Sequence, residues 1–253
     1  MDKLELQRIE KSFGKNHVLR GIDLQVKEGE TLVVIGRSGC GKSVMLKHMV
    51  GLIKPDRGRV FVDGEDITDL SEHALFEVRE EFGYLFQSSA LLDSLTVEEN
   101  VGLGLVERSK QSPETIREIV REKLSMVGMS GVEKSMPSDL SGGMKKRVGL
   151  ARAIAMNPEI VLYDEPTTGL DPIMADTINE LILFLKHELQ ITSVVVTHDM
   201  SSARKVADRI AMLHDGTIIF SGTVDDLDAT DDPSVRQFVE GRSEVTYSHE
   251  TTS

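Results

Sequence analysis

The chain opens on short apolar stretches interrupted by turn residues. Leu4–Ile9, Ile22–Val26 and Arg59–Val62 read as strands, set apart by Phe13-Gly14-Lys15-Asn16, Glu28-Gly29-Glu30 and Asp63-Gly64. That spacing predicts an antiparallel β region. Thr31–Ile35 is more uniformly apolar, as expected of a strand covered on both faces. It runs directly into a glycine-rich loop and then Ser43–Leu52, which has helical spacing and ends before Pro55. The expected unit is strand, loop, helix.

Between about Ser88 and Leu140 the strand pattern fades and helices are expected. Ser112-Pro113-Glu114 supplies a capping residue followed by proline at the first helical position. From Pro158 the pattern alternates. Ile160–Tyr163, Ser193–Val196 and Arg209–Leu213 read as strands, Pro172–Leu189 as a helix capped by Asp171, and Met200–Ala207 as a second helix. Such alternation predicts a parallel α/β sheet. Asp225–Asp232 and Ser234–Arg242 read either as a docking surface or as a capped terminal helix, and the polar tail Thr246–Ser253 is expected to fray.

Composition narrows the class. With 40% hydrophobic and 28% charged residues, the 253-residue chain can bury a substantial core. Leu32–Gly36, Leu181–Leu185 and Ile191–Thr197 fall well short of the roughly 20 residues that cross a bilayer. The start, Met1-Asp2-Lys3-Leu4-Glu5, lacks the basic and apolar regions of a secretory signal, so a cytoplasmic location is expected. One cysteine, Cys40, fits a reducing compartment and excludes cysteine-built metal sites. A net charge of −13 opposes binding to nucleic acid or to anionic lipid, so membrane attachment would need a protein partner. Lys145-Lys146-Arg147 is a local basic run, read by default as a solvated helix face.

Two motifs carry phosphate chemistry. Gly36-Arg37-Ser38-Gly39-Cys40-Gly41-Lys42-Ser43 fits G-x-x-x-x-G-K-[ST] and lies between a strand and a helix. Its glycines let backbone N–H groups curl around phosphate oxygens, Lys42 neutralises charge on the outer phosphates, and the Ser43 hydroxyl can ligate Mg²⁺. Cys40 contributes through its backbone. Ile160–Tyr163 then ends in Asp164-Glu165. Because neighbouring side chains of a strand point to opposite sides, Asp164 is expected to hold the metal while Glu165 faces an attacking water as general base. Together these say P-loop NTPase.

Leu140-Ser141-Gly142-Gly143-Met144 separates subclasses. It precedes a helix whose first turns are basic, which is unfavourable for the helix dipole unless an anion is bound there. Here the sequence resembles the ABC ATPase family, whose signature is LSGGQ or a close variant, and the resemblance extends over nearly the whole chain. Met144 departs from the usual glutamine. The resemblance implies that Ser141, with Gly142 and the Gly143 N–H, caps the γ-phosphate of ATP held by a second copy. It also implies that Gln87 touches Mg²⁺ and water, that His198 contacts the γ-phosphate, and that Gly169-Leu170-Asp171 communicates across the dimer. Phe13 resembles the aromatic that stacks on adenine, although by pattern alone it reads as core.

At finer grain the chain resembles the Mla/Mce group of lipid-transport ATPases of diderm bacteria. The matching segments are residues 36–47, Leu85–Leu95, 140–147 and Thr167–Ile173. The implied fold is α/β: a P-loop NTPase (RecA-like) core at about 1–87 and 158–222, beginning with the antiparallel β region. An inserted helical signature subdomain at about 88–157 and a C-terminal extension at about 223–253 complete a single nucleotide-binding domain. The implied activity is ATP hydrolysis with Mg²⁺, coupled to phospholipid transport. The implied partners are a second copy, an integral membrane permease on the cytoplasmic face of the inner membrane, and an Mce-type lipid-binding subunit. Phe86–Asn100 would then receive a permease helix, with Leu91, Leu92, Leu95 and Val97 as groove or as subdomain core. Another ABC importer or a soluble assembly ATPase remains the alternative. A non-hydrolysing sensor is disfavoured by Lys42, Asp164, Glu165 and His198.

Overall fold

The computed structural model describes residues 2–242. The strands are β1 (Asp2–Phe13), β2 (Asn16–Lys27), β3 (Thr31–Ile35), β4 (Arg57–Val62), β5 (Glu65–Asp66), β6 (Phe82–Leu85), β7 (Ile160–Asp164), β8 (Thr192–Thr197), β9 (Arg209–His214) and β10 (Thr217–Gly222). The helices are α1 (Lys42–Met49), α2 (Glu72–Val78), α3 (Val97–Arg108), α4 (Pro113–Met126), α5 (Gly142–Ala153), α6 (Pro172–Leu189), α7 (Met200–Val206), α8 (Val224–Ala229) and α9 (Pro233–Val239).

Two sheets form. One is four-stranded and antiparallel, in the order β2-β1-β4-β5; the other is six-stranded, in the order β10-β9-β3-β8-β7-β6. In the larger sheet β9, β3, β8, β7 and β6 run parallel, and only β10 is antiparallel. Because its strands alternate, this sheet belongs to two cores at once. Val33, Ile35, Val161, Tyr163 and Val195 face one core, together with α3 to α6. Leu32, Val34, Ile160, Leu162 and Val194 face the other, against α1 and the antiparallel sheet. Coverage on both faces is why these strands read as unbroken apolar runs.

The expected antiparallel region, the helices between 88 and 140 and the parallel sheet are all present. The long first strands gain a bulge that the pattern does not announce: Arg8 has φ 48° and Gly58 φ 92°, and a Cβ on Gly58 would lie 2.4 Å from the Gln7 and Arg8 carbonyls. Only glycine fits there. The pattern also passes over α2, capped by Ser71, and the β9-β10 hairpin. The hairpin's signal was Asp215-Gly216, both with positive φ. The segment after residue 222 forms two short capped helices: Thr223 and Asp226 make a capping box on α8, and Asp232 caps α9. Residues 246–253, expected to fray, lie outside the described residues.

Candidate functional site

The parallel strands β3, β7, β8 and β6 end on one edge of the sheet, and each delivers a chemical group there. The loop after β3 is the glycine-rich segment. Gly36 has φ 156° and a Cβ on it would meet the Leu213 carbonyl at 2.4 Å and Cys40 Sγ at 2.9 Å; Gly41, at φ 111°, caps α1. The first-strand hairpin packs beside it, since a Cβ on Gly41 would touch Leu19 and Val18. Within the loop Lys42, only 5% exposed, donates from Nζ to the Gly36 carbonyl (2.8 Å) and the Arg37 carbonyl (3.2 Å). Burial pushes the Cys40 thiol up, consistent with a structural rather than nucleophilic cysteine. Ser38 and Gly39 complete the turn, Gly39 at φ 80°.

The carboxylates after β7 face this loop. Asp164 Oδ1 accepts from the Ser43 hydroxyl at 2.7 Å, and Asp164 Oδ2 accepts from the Tyr84 hydroxyl at 3.4 Å. Burial and the Asp164 charge push the Tyr84 phenol well above its ordinary range, so it stays a donor. Glu165 lies 3.3 Å from Lys42 Nζ through Oε1, while Oε2 accepts from Thr168 Oγ1 at 3.1 Å and meets His198 Nδ1 at 2.8 Å. The two acids do serve different partners. Strand alternation is not the reason: β7 ends at Asp164, and Glu165 has left-handed backbone at φ 49°. Its N–H donates to the Val196 carbonyl of β8, which holds this strained geometry.

His198 follows β8, with its side chain 48% exposed and one ring nitrogen on Glu165. Gln87 follows β6 and is exposed. It lines an open cleft of about 450 Å³ with Lys47, Phe86, Ser88, Asp164 and Thr168. The converging hydroxyl and carboxylate of Ser43 and Asp164 are hard oxygen donors of the kind Mg²⁺ selects, so these residues fit that ion.

The signature residues stand elsewhere. Ser141 caps α5, its Oγ accepting from the Met144 N–H at 3.4 Å, and both Ser141 and Gly142 are exposed. Gly143 is buried against Met174, and Gly142 faces Leu170. Among the described residues no hydrogen bond joins Ser141 to the loop at 36–43. Asp171 Oδ1 accepts from the Ile173 and Met174 N–H groups at 3.0 Å each, making it the cap of α6. Phe13 is 49% exposed, with Lys11 Nζ 5.7 Å from its ring centroid. The core reading of Phe13 is therefore wrong: it closes β1 at the surface.

The basic run also needs correction. Lys146 is not solvated: it is 5% exposed, and its Nζ donates to the carbonyls of Gln87 and Glu165. Burial holds its ammonium below the ordinary lysine range, the Asp164 and Glu165 charges pulling the other way. In the 86–100 segment, Leu92 is 45% exposed, Leu91 and Leu95 are half-buried, and Val97 is fully buried as the first residue of α3. Val97 therefore belongs to the core rather than to any groove. Among the described residues no helix is long and apolar enough to cross a membrane.

Comparison with known proteins agrees with this geometry. The family model described as "ABC transporter" matches residues 19–168. The probable ribonucleotide transport ATP-binding protein mkl of Mycobacterium tuberculosis is 41% identical over 94% of this chain and 67% of its own length. The intermembrane phospholipid transport system ATP-binding protein MlaF of Haemophilus influenzae is 39% identical over 95% of this chain and 91% of its own. A solved structure of the ATP-binding cassette MJ0796, a dimer in a post-hydrolysis state with ADP and Pi, superposes with TM-score 0.81. It is 36% identical and covers 87% of this chain and 98% of that one. The chain belongs to the ABC transporter family, as one of its ATP-binding and ATP-hydrolysing members.

Proposed function

We propose that two copies of the chain close head-to-tail on two ATP molecules, and that this closure powers lipid transport through a membrane permease. The observation that carries the hydrolytic half is the placement of Glu165. One carboxylate is held by Lys42, Thr168 and His198, beside the Ser43–Asp164 pair and at the mouth of the phosphate loop.

In each site the loop at 36–43 cradles the phosphates with backbone N–H groups, and Lys42 swings its charge from Glu165 and the loop carbonyls to the outer phosphates. Ser43, Asp164 and Gln87 would hold Mg²⁺, which when bound neutralises phosphate charge. Glu165 takes a proton from water as the water oxygen bonds to the γ-phosphorus. The bond from that phosphorus to the bridging oxygen breaks, and ADP leaves with its electrons. His198 holds Glu165 in place and contacts the γ-phosphate, Phe13 stacks on adenine, and Ser141, Gly142 and Gly143 of the second copy cap the γ-phosphate. Asp171 and its loop would lie at the same junction; Leu170 faces Gly142, and Met174 packs on Gly143.

Gln87 and the exposed Leu92 would meet the permease on the cytoplasmic face of the inner membrane. The near full-length likeness to the ATP-binding protein of an intermembrane phospholipid transport system supports phospholipid as cargo and a multi-component assembly; an Mce-type lipid-binding subunit is the further partner proposed for it. The organisation that goes with this is a single nucleotide-binding domain, with the core at about 1–87 and 158–222, a helical subdomain at 88–157 and an extension from 223. A second reading, ribonucleotide transport, rests on the description of the mycobacterial relative. Purifying the tagged full chain from native membranes separates them. Co-elution of a multi-span permease with a lipid-binding protein and phospholipid is the expected result, and a soluble scaffold or a nucleotide-binding receptor would overturn it.

A further inference from the structure

The signature helix α5 is fastened along one face to the segment that follows β6. Lys146, Gly149 and Arg152, spaced by three, share that face. A Cβ on Gly149 would meet Leu85 Cδ1 at 2.9 Å and Ser89 Cβ at 3.2 Å, and Arg152 donates to the carbonyls of Ser89 and Ala90. Those two residues both have positive φ, 62° and 44°, so α5 grips a strained segment. Lys146 alone among the three reaches beyond it, bridging the Gln87 carbonyl and, at 3.2 Å, the Glu165 carbonyl.

This arrangement is expensive as packing. The ammonium is buried, and among the described residues its hydrogen-bond partners are two backbone carbonyls, with no carboxylate in an ion pair. Burial outweighs the pull of the Asp164 and Glu165 charges on this ammonium, so holding it here is unfavourable, and a neutral side chain would fill the same space at lower cost. What the lysine does is join three parts of the chain that are distant in sequence: the helix capped by Ser141, the loop carrying Gln87, and the left-handed residue Glu165. The Glu165 carbonyl also accepts from the Thr168 N–H at 3.3 Å, so Lys146 and Thr168 together set the peptide plane from which the Glu165 side chain projects.

We infer that Lys146 is a positioning residue for hydrolysis, its ammonium tying α5 to the backbone of the general base and of Gln87. The inference rests on the role given above to Glu165. Because Ser141 at the start of the same helix serves the second copy's ATP in that reading, Lys146 transmits the seating of α5 on one nucleotide to the Glu165 that hydrolyses the other.

The test uses the full chain with K146M, which keeps length and removes both the charge and the donors. Loss of a fixed general-base position lowers kcat by about tenfold to a hundredfold. The KM for ATP and ATP-induced dimerisation stay within about twofold, because the phosphate loop is untouched. A kcat within about twofold of the parent would overturn the inference, as would a fall in kcat accompanied by lost ATP binding or dimerisation. If K146M does not fold, K146L, which likewise lacks charge and donors, is read by the same criteria; failure of both to fold assigns Lys146 a structural role and also overturns it. E165Q, run alongside, separates the two claims. If E165Q hydrolyses normally the general-base reading fails, whereas if E165Q stalls and K146M does not, only the Lys146 inference fails.

Discussion

Replacing Glu165 by glutamine changes the least structure for the most chemistry. The amide occupies the volume of the carboxylate, its oxygen can still accept from Lys42, and its NH₂ can donate to Thr168 Oγ1 and to His198 Nδ1 in the tautomer with Nε2 protonated. Removing one member of a buried ion pair costs as much as about 3–5 kcal/mol when the other charge is stranded. Lys42 is not stranded, because its bonds to the Gly36 and Arg37 carbonyls at 2.8 and 3.2 Å remain. The expected loss of stability without nucleotide is therefore nearer about 1–2 kcal/mol, the scale of one hydrogen bond to a charged group. ATP at a hundred times its dissociation constant restores about 2.7 kcal/mol and more than covers the loss.

Turnover behaves differently. A general base contributes about 10²–10⁴ in rate, or about 2.7–5.4 kcal/mol at 1.36 kcal/mol per decade. E165Q should bind ATP, form the nucleotide-loaded dimer and stay in it. Steady-state phosphate release measures the rate, and light scattering with and without ATP measures the dimer. Hydrolysis within about threefold of the parent would remove Glu165 from the base role. A variant that lost ATP binding along with rate would show that the Lys42–Glu165 contact organises the loop instead.

Two further outcomes follow from surface and core. Leu92→Glu should abolish co-sedimentation with permease-containing membranes while leaving ATP binding intact, since Leu92 is 45% exposed; unchanged recruitment would exclude this surface. His48 is buried, with Nδ1–H donating to the Val44 carbonyl at 2.7 Å and Nε2 without a partner among the described residues, and burial lowers its pKa from 6.5. The unfolded chain then binds the proton first, so this contribution to stability is complete above pH 6.5 and lost as pH falls below it. Urea unfolding of the parent should weaken more steeply below that pH than unfolding of H48L, and equal slopes would refute the assignment.

What could be read in advance was local. Thr31–Ile35 and Pro172–Leu189 match the observed elements residue for residue, because a doubly covered strand and a helix with its own aspartate cap carry their signals within their own length. Glu165 was assigned partners by the pleat of a strand, but the strand stops one residue earlier and a left-handed turn aims the side chain. Lys146 defeats local reading more completely. A lysine within Lys145-Lys146-Arg147 looks solvated, since an isolated ammonium is too costly to bury. Its partners exist only because β6 pairs with β7, which brings the residues following those two strands, Gln87 and Glu165, to one edge. Their carbonyls lie 59 and 19 residues from Lys146 in the chain. The order of strands in the sheet, which no single segment encodes, turns a surface-like lysine into an internal one. The same adjacency makes the lysine useful, because the two backbones it joins are those of the groups assigned to the metal and to water.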